Sequence, residues 1–390
     1  MDHLEAVLET PASPVTEIDK RNTATALPTP SNAPRTFRIA VLSGDGIGPE
    51  VMAEAVRVLN AVTEFSPDVR FELNELAAGA GHFLQSGVAL PAETLAACEQ
   101  ADAILLGAMG LPNVLNLDGR EVAPQIDLRE KLDLYCGLRP IRLFHSADSP
   151  LKQVQGGEID LVIVRESTEG LFSTRHALPA PTANVVDDVL RITRQGSERL
   201  FRAAFRLAQT RRRRVTLVDK ANVLPSMVFF RSVFEQVAAE FPEVATEKIY
   251  VDAAALYLVQ RPQAFDVIVT ENMFGDILSD LAASLVGGMG LAPSADIGER
   301  AAIFQPAHGT APDIAGRGIA NPTAMILSVA LMLEWLGDLR TVSAAKRIRQ
   351  AVDQVLGDAT KRTPDLRGSL STRQMGDEVL TALAGTKPSP

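Results

Sequence analysis

Asp276 and Asp280 stand four positions apart in the stretch Asn272-Met273-Phe274-Gly275-Asp276-Ile277-Leu278-Ser279-Asp280, directly after the strand-like run 265–270. At that spacing on a helix both carboxylates share one face. Asp252, on an earlier apolar run, adds a third hard oxygen donor. Three carboxylates suit a divalent cation that keeps positions open for substrate, so the chemistry to expect is that of a Mg²⁺ or Mn²⁺ enzyme. The same two aspartates would also serve as caps at a helix N-terminus, where negative charge is favourable, and the pair alone does not decide.

A second set is cationic: Arg129, Arg139 and Arg165, each beside an apolar residue. Singly, each is an ordinary surface residue or ion-pair partner. Converging, three guanidinium groups would clamp a di- or tricarboxylate through paired donors. Lys220, in Val218-Asp219-Lys220-Ala221-Asn222, ends another strand-like run. A lysine beside a bound dication is driven toward neutrality and becomes a usable base. The long segment from Pro306 to Pro322 holds His308, Gly309, Thr310, Ala311, Pro312, Asp313 and Ile314. Its small residues permit close backbone approach to a flat, phosphate-bearing ligand, and Asp313 could accept from ribose hydroxyls.

The elements that must position these groups alternate along the chain. Strand-like runs at 37–42, 103–106, 161–164, 215–218, 267–270 and 302–304 are separated by helical patterns, which predicts an α/β architecture with a substantial sheet. Gly44-Asp45-Gly46-Ile47-Gly48 follows the first strand as GxGxG, and a proline then opens the helix. That spacing excludes the dinucleotide fingerprint GxGxxG and with it a metal-free Rossmann-type dehydrogenase.

The chain of 390 residues, 46% hydrophobic, can bury two connected cores. A net charge of -10 argues against nucleic acid as a partner, and the basic run 211–214 reads as a solvated helix end. Cys98 and Cys136 form no metal or disulfide framework, which fits a reducing, cytoplasmic setting, and no apolar run suits a membrane span. Residues 1–36 are rich in Pro, Thr, Ser and Ala and read as a disordered extension.

From Phe37 to about Leu383 the chain resembles the isocitrate and isopropylmalate dehydrogenase family of metal-dependent β-decarboxylating enzymes. The motifs GDGIGPE, LREKLDLYCGLRP, VDKANVLP, NMFGDILSD and HGTAPDIAGRGIANP occur in family order. The resemblance implies a two-domain fold with a large mixed sheet flanked by helices. A nucleotide-binding domain would comprise 37–134 and 286–385, and a smaller dimerisation and metal/substrate domain 135–285. It further implies that Arg129, Arg139, Arg165 and Asn222 bind substrate, Asp252, Asp276 and Asp280 bind metal, Lys220 is the base, and His308 to Ile314 with Asn321 bind the cofactor. Relatives are homodimers with shared sites, so a second copy would supply the lysine and the first aspartate.

Two positions bear on the last chemical step and on cofactor choice. Phe172 occupies the place of a proton-donating Tyr. Asp313, followed by Ile314, favours a free ribose diol and hence NAD⁺. Substrate choice stays open among 3-isopropylmalate, favoured by the apolar Val122, Ala123, Ile126 and Leu128, and isocitrate, homoisocitrate, D-malate or tartrate. A non-catalytic regulatory homologue, favoured by Phe172, is opposed by the joint presence of the lysine, three arginines and three aspartates.

Overall fold

A computed structural model describes residues 35–65, 68–178, 180 and 182–386. Ten strands among these residues form one sheet: β1 (Arg35–Gly44), β2 (Val69–Glu75), β3 (Ala103–Ala108), β4 (Cys136–Arg142), β5 (Asp160–Glu166), β6 (Arg214–Asp219), β7 (Ala245–Tyr250), β8 (Val267–Thr270), β9 (Pro293–Ile297) and β10 (Ala302–Pro306). Their order is β2-β1-β3-β10-β9-β4-β5-β8-β6-β7. Strands from both ends of the chain therefore build one half of the sheet, and strands from its middle build the other.

The helices are α1 (Gly48–Thr63), α2 (Ala80–Ser86), α3 (Ala92–Gln100), α4 (Pro124–Lys131), α5 (Arg194–Gln209), α6 (Pro225–Ala238), α7 (Val251–Gln260), α8 (Asn272–Ser284), α9 (Thr323–Trp335), α10 (Leu339–Leu356) and α11 (Thr372–Gly385). They cover both sheet faces, as the strand sequences require. Side chains alternate across a strand, and a parallel strand between two helical layers is apolar on both sides. Thus Phe37, Ile39 and Val41 pack with α1, α9, α10 and α11, while Ala40, Leu42, Ile104 and Leu106 pack with Cys98 and Leu128. In the other half Val162, Val164, Val267 and Val269 meet α5 and α6, and Leu161, Ile163 and Ile268 meet α7 and α8.

Strand direction sets where chemistry can occur. β5, β8, β6 and β7 are mutually parallel, so their C-terminal ends emerge together and lead into Ser167, Glu271, Lys220 and Val251. β1, β3 and β10 are likewise parallel, which gathers the turns after Gly44, Ala108 and Pro306. Ligand sites in open α/β sheets lie outside such strand ends.

Three expectations change. The extension over residues 1–36 lies outside the described residues as far as 34, but Arg35 and Thr36 already belong to β1, paired with Val69 and Arg70. The basic run is not simply a solvated helix end: Arg211 bonds Asp266 at 2.8 Å and Asp160 at 2.7 Å. Asp266 is buried, so its charge needs that partner. Val122 and Leu128 are also buried, Leu128 against Leu42 and Ile104, which leaves Ala123 and Ile126 half-buried as the apolar residues of that segment able to meet a ligand. Among the described residues no helix is long and apolar enough to cross a membrane.

The sparse aromatics concentrate where α5 crosses α6: Phe234 lies 5.3 Å from Phe201 and 5.4 Å from Phe205, centroid to centroid. Phe234→Ala is expected to cost about 3–5 kcal/mol, read as a lower urea midpoint at unchanged m. A loss below about 1 kcal/mol would show that this junction does not hold the half-sheet together.

Candidate functional site

The three arginines converge, and the group that gathers two of them is Asp296 on β9. Its carboxylate accepts from Arg129 Nε and Arg139 Nη2, both at 2.9 Å, from Gln305 Nε2 at 2.7 Å and from Ser167 Oγ at 3.3 Å. Asp296 is fully buried. Burial alone would raise its carboxyl, but Arg129 and Arg139 overcome that and hold it well below the usual carboxylate range. Gly137 of β4 makes the approach possible, because a Cβ there would stand 3.1 Å from Asp296 Oδ1 and 2.7 Å from Ser167 Oγ. Sequence reading missed Asp296, whose only local signal is an acid inside the apolar run 291–297.

Arg165, at the end of β5, is buried and faces α8. Its Nε and Nη2 donate to Asn272 Oδ1 at 3.0 and 2.7 Å, and Nη1 pairs with Asp276. Gly275 lets the helix come this close: a Cβ there would lie 2.6 Å from Arg165 Cγ. Burial, and then the charges of Arg129 and Arg139, lower the guanidinium to about 10 against the pull of Asp276. Such mutual repulsion among cations is what a bound polycarboxylate would relieve.

Asp276 and Asp280 sit one turn apart on α8 and do not cap it. Glu271 does, accepting from Phe274 N at 2.6 Å and Met273 N at 3.1 Å, so the capping alternative falls away. The carboxyl of Asp280 is held above its usual range by burial and next by the charge of Asp276. Two repelling carboxylates on one face, Asp276 half-buried and Asp280 exposed, fit a hard dication that neutralises both.

Lys220 and Asp252 form a separate pair, Nζ to Oδ1 2.8 Å. That bond holds the Asp252 carboxyl below its usual range. Asp252 is exposed at the start of α7, and Asn222 is exposed in the turn after Lys220. Within this chain the three metal-type aspartates therefore fall into two groups. Among the described residues, the group of three metal-type side chains whose ligand atoms all lie within 4.8 Å of one another is Asp127, Glu130 and His176. Arg175 already bonds both of those carboxylates, at 2.6 and 2.7 Å, making them an ion-pair cluster.

The loop after β10 docks on the turn after β1. Ile47 N donates to Thr310 O at 2.9 Å, and a Cβ on Gly46 would strike that same carbonyl. Asp45 fastens the neighbouring segments by accepting from Ala80 N, Gly81 N and Gly110 N. Ala311, Ile314 and Ala315 pack on the core, leaving Gly309, Pro312 and Asp313 exposed. Asn321, just before α9, is buried, and its Oδ1 accepts from Thr323 N at 3.0 Å. Burial holds the His308 imidazole below its usual range, and its Nε2 has no partner among the described residues.

Residues 38–379 match the isocitrate/isopropylmalate dehydrogenase family. A 3-isopropylmalate dehydrogenase of Moorella thermoacetica is 46% identical over 336 residues, covering 85% of this chain and 93% of that protein. One from Aquifex aeolicus is 40% identical over 363 residues, covering 90% and 99%. Among solved structures, an isocitrate dehydrogenase from Methylococcus capsulatus superposes with a TM-score of 0.80 at 37% identity, covering 89% of this chain and 99% of that one. A β-decarboxylating dehydrogenase from Thermococcus kodakarensis gives 0.74 at 39% identity, covering 90% and 96%.

Behind Arg165 the next residue, Glu166, points to the opposite sheet face and is buried. It accepts from Thr168 N, Thr168 Oγ1 and Glu169 N, while Glu169 O receives Asn272 Nδ2 at 2.9 Å. Burial pushes the Glu166 carboxyl up to about 7 from 4.5. A folded-state value above the unfolded one means the unfolded chain releases this proton first, so stability falls as pH rises from 4.5 to about 7. Glu166→Gln is expected to flatten that part of the stability–pH curve in paired urea titrations; an unchanged slope would contradict it.

Proposed function

This chain belongs to the isocitrate/isopropylmalate dehydrogenase family, and we propose on that footing that it oxidises 3-isopropylmalate at C2 with NAD⁺ and a divalent metal, releasing the β-carboxylate as CO₂. The observation that carries this reading is the convergence of Arg129, Arg139 and Arg165 around buried Asp296, beside the paired aspartates of α8. The choice of 3-isopropylmalate draws on the relatives of that name at 46% and 40% identity. Half-buried Ala123 and Ile126 are the apolar neighbours available to its alkyl group.

Asp276 and Asp280, with the partner subunit's Asp252, would hold Mg²⁺ or Mn²⁺. The exposed loop residues Gly309 to Asp313 would meet the adenosine of NAD⁺. When bound, the metal would supply stabilisation of negative charge on the 2-oxygen, and NAD⁺ would supply the hydride acceptor. The chain's own groups do the remaining work. The arginines fix the carboxylates, and the partner subunit's Lys220 removes the hydroxyl proton. The reading of a second copy is supported by the two ion pairs within one chain, Lys220 with Asp252 and Asp276 with Arg165. Exposed Leu256 and Val259 on α7 and Ile277 on α8 supply an apolar face for that copy. We assign the nucleotide to the half formed by 37–134 and 286–385, and the dimer and metal to 135–285.

Loss of CO₂ leaves an enol that must be protonated. Phe172 lies under the Arg165 guanidinium, 5.5 Å from its ring centroid, and has no proton to give. Protonation then falls to water or another group.

NAD⁺ reduction with 3-isopropylmalate should stop on metal stripping and return with Mg²⁺. It should run at least about tenfold better in kcat/KM than with NADP⁺, since Asp313 would repel a 2′-phosphate. Lys220→Ala should lower kcat by about 10²–10⁴. Dication-independent turnover, or parity of the two nucleotides, would overturn the corresponding part of the reading.

Measuring NADH and CO₂ in one reaction tests the last step. One-to-one release is expected from the native chain, and Phe172→Tyr should raise kcat by about tenfold or more. NADH without matching CO₂ would remove decarboxylation from the assignment.

A further inference from the structure

Asp296 has a property that positioning alone does not require. Its two oxygens receive four donors: Oδ1 from Arg139 and Ser167, Oδ2 from Arg129 and Gln305. That fills the acceptor capacity of a carboxylate. Being fully buried as well, it cannot touch a ligand and acts only through the arginines. Arg139 is spent almost entirely inward, its Nη1 donating to Leu138 O and Ala295 O. Arg129 keeps Nη1 and Nη2 without a partner among the described residues and is partly exposed.

The charge balance follows. Three guanidinium groups facing one permanently ionised carboxylate leave two positive charges. The remaining acids near the site are otherwise committed: Asp276, paired with Arg165, and Asp280 together offset a bound dication, Glu271 is held by the N–H groups that open α8, and Asp252 is matched by Lys220. A buried charge a few ångströms behind a guanidinium is poorly screened and is felt by whatever anion the guanidinium holds.

We propose that Asp296 is a specificity-determining positioning residue, whose buried charge tunes the three-arginine cradle to a dicarboxylate dianion and against a tricarboxylate trianion. This rests on the reading of the cradle as the hydroxy-acid site. It gives the preference for a substrate with an alkyl group, in place of a third carboxylate, an electrostatic origin rather than one in pocket shape.

The test uses two unreactive anions, methylsuccinate and propane-1,2,3-tricarboxylate, titrated calorimetrically into the full-length protein with Mg²⁺ at a pH where both are fully ionised. The native protein should bind the dicarboxylate more tightly. In Asp296→Asn, an isosteric change, the ratio of the two dissociation constants should move by about tenfold toward the tricarboxylate. A purely structural role would weaken both anions by the same factor and would overturn the proposal. A second measurement needs only the native protein: repeated in buffers of different ionisation enthalpy, tricarboxylate binding should take up about one proton more than dicarboxylate binding, because the site admits it as the dianion. Equal uptake would also overturn the proposal. Neither measurement requires turnover, so a chain that binds as described yet reduces no NAD⁺ would refute the catalytic reading alone.

Discussion

A carboxylate with no access to water, that of Asp296, decides where two of the three clustered arginines stand. Two guanidinium groups brought together without it would repel each other and drift into solvent, losing the fixed geometry that makes a bidentate clamp selective. The anion sits on β9, whose neighbours are β10 on one side and β4 on the other. The junction between the two halves of the sheet is thus also the electrostatic centre of the site. Arg129 arrives from α4 and Arg139 from β4, so the clamp depends on elements from both halves.

The third arginine is fixed differently. Arg165 is held by Asn272 and Asp276, residues i and i+4 of α8, and the absence of a side chain at Gly275 brings that helix within reach. One short motif therefore supplies a cap-adjacent amide, a close approach and the carboxylates suited to a cation. Glu271, which caps the helix, and Glu166, which holds the strand-to-loop turn, are buried acids that carry no substrate. Both accept from backbone N–H groups, Glu271 within α8 and Glu166 within the loop after β5, and the bond from Asn272 Nδ2 to Glu169 O ties that loop to α8. Rigidity of this supporting shell is what preorganises a cradle before a ligand arrives.

The chain by itself divides the chemistry into parts. Lys220 and Asp252 satisfy each other on one side, while Asp276 satisfies Arg165 on another. Exposed apolar residues on α7 and α8 lie beside these half-sites. If a second copy supplied Lys220 and Asp252 as proposed, the site would be completed only in the assembled pair, where neighbouring surfaces would exclude water from the reacting groups.

Much was legible in the sequence because the signals are local. Alternating apolar runs mark the central strands, GxGxG excludes the dinucleotide turn, and the i, i+4 spacing of Asp276 and Asp280 by itself places them on one helix face. Strands β2, β4, β7 and β9 were not legible. β4 contains Gly137 and Pro140, and β7 lies at the sheet edge with polar side chains facing solvent, so neither shows the apolar pattern of a buried strand. Arg211 looked solvated because its partners, Asp160 and Asp266, are distant in sequence. Residue types and spacing determined which chemistry this protein can attempt, since carboxylates, guanidinium groups and an amine carry their reactivity wherever they fall. Only the tertiary structure decided that Glu271 rather than Asp276 caps α8, that Leu128 is core, and that Asp296 gathers the clamp: burial and long-range pairing are properties of the packed chain, and no local pattern encodes them.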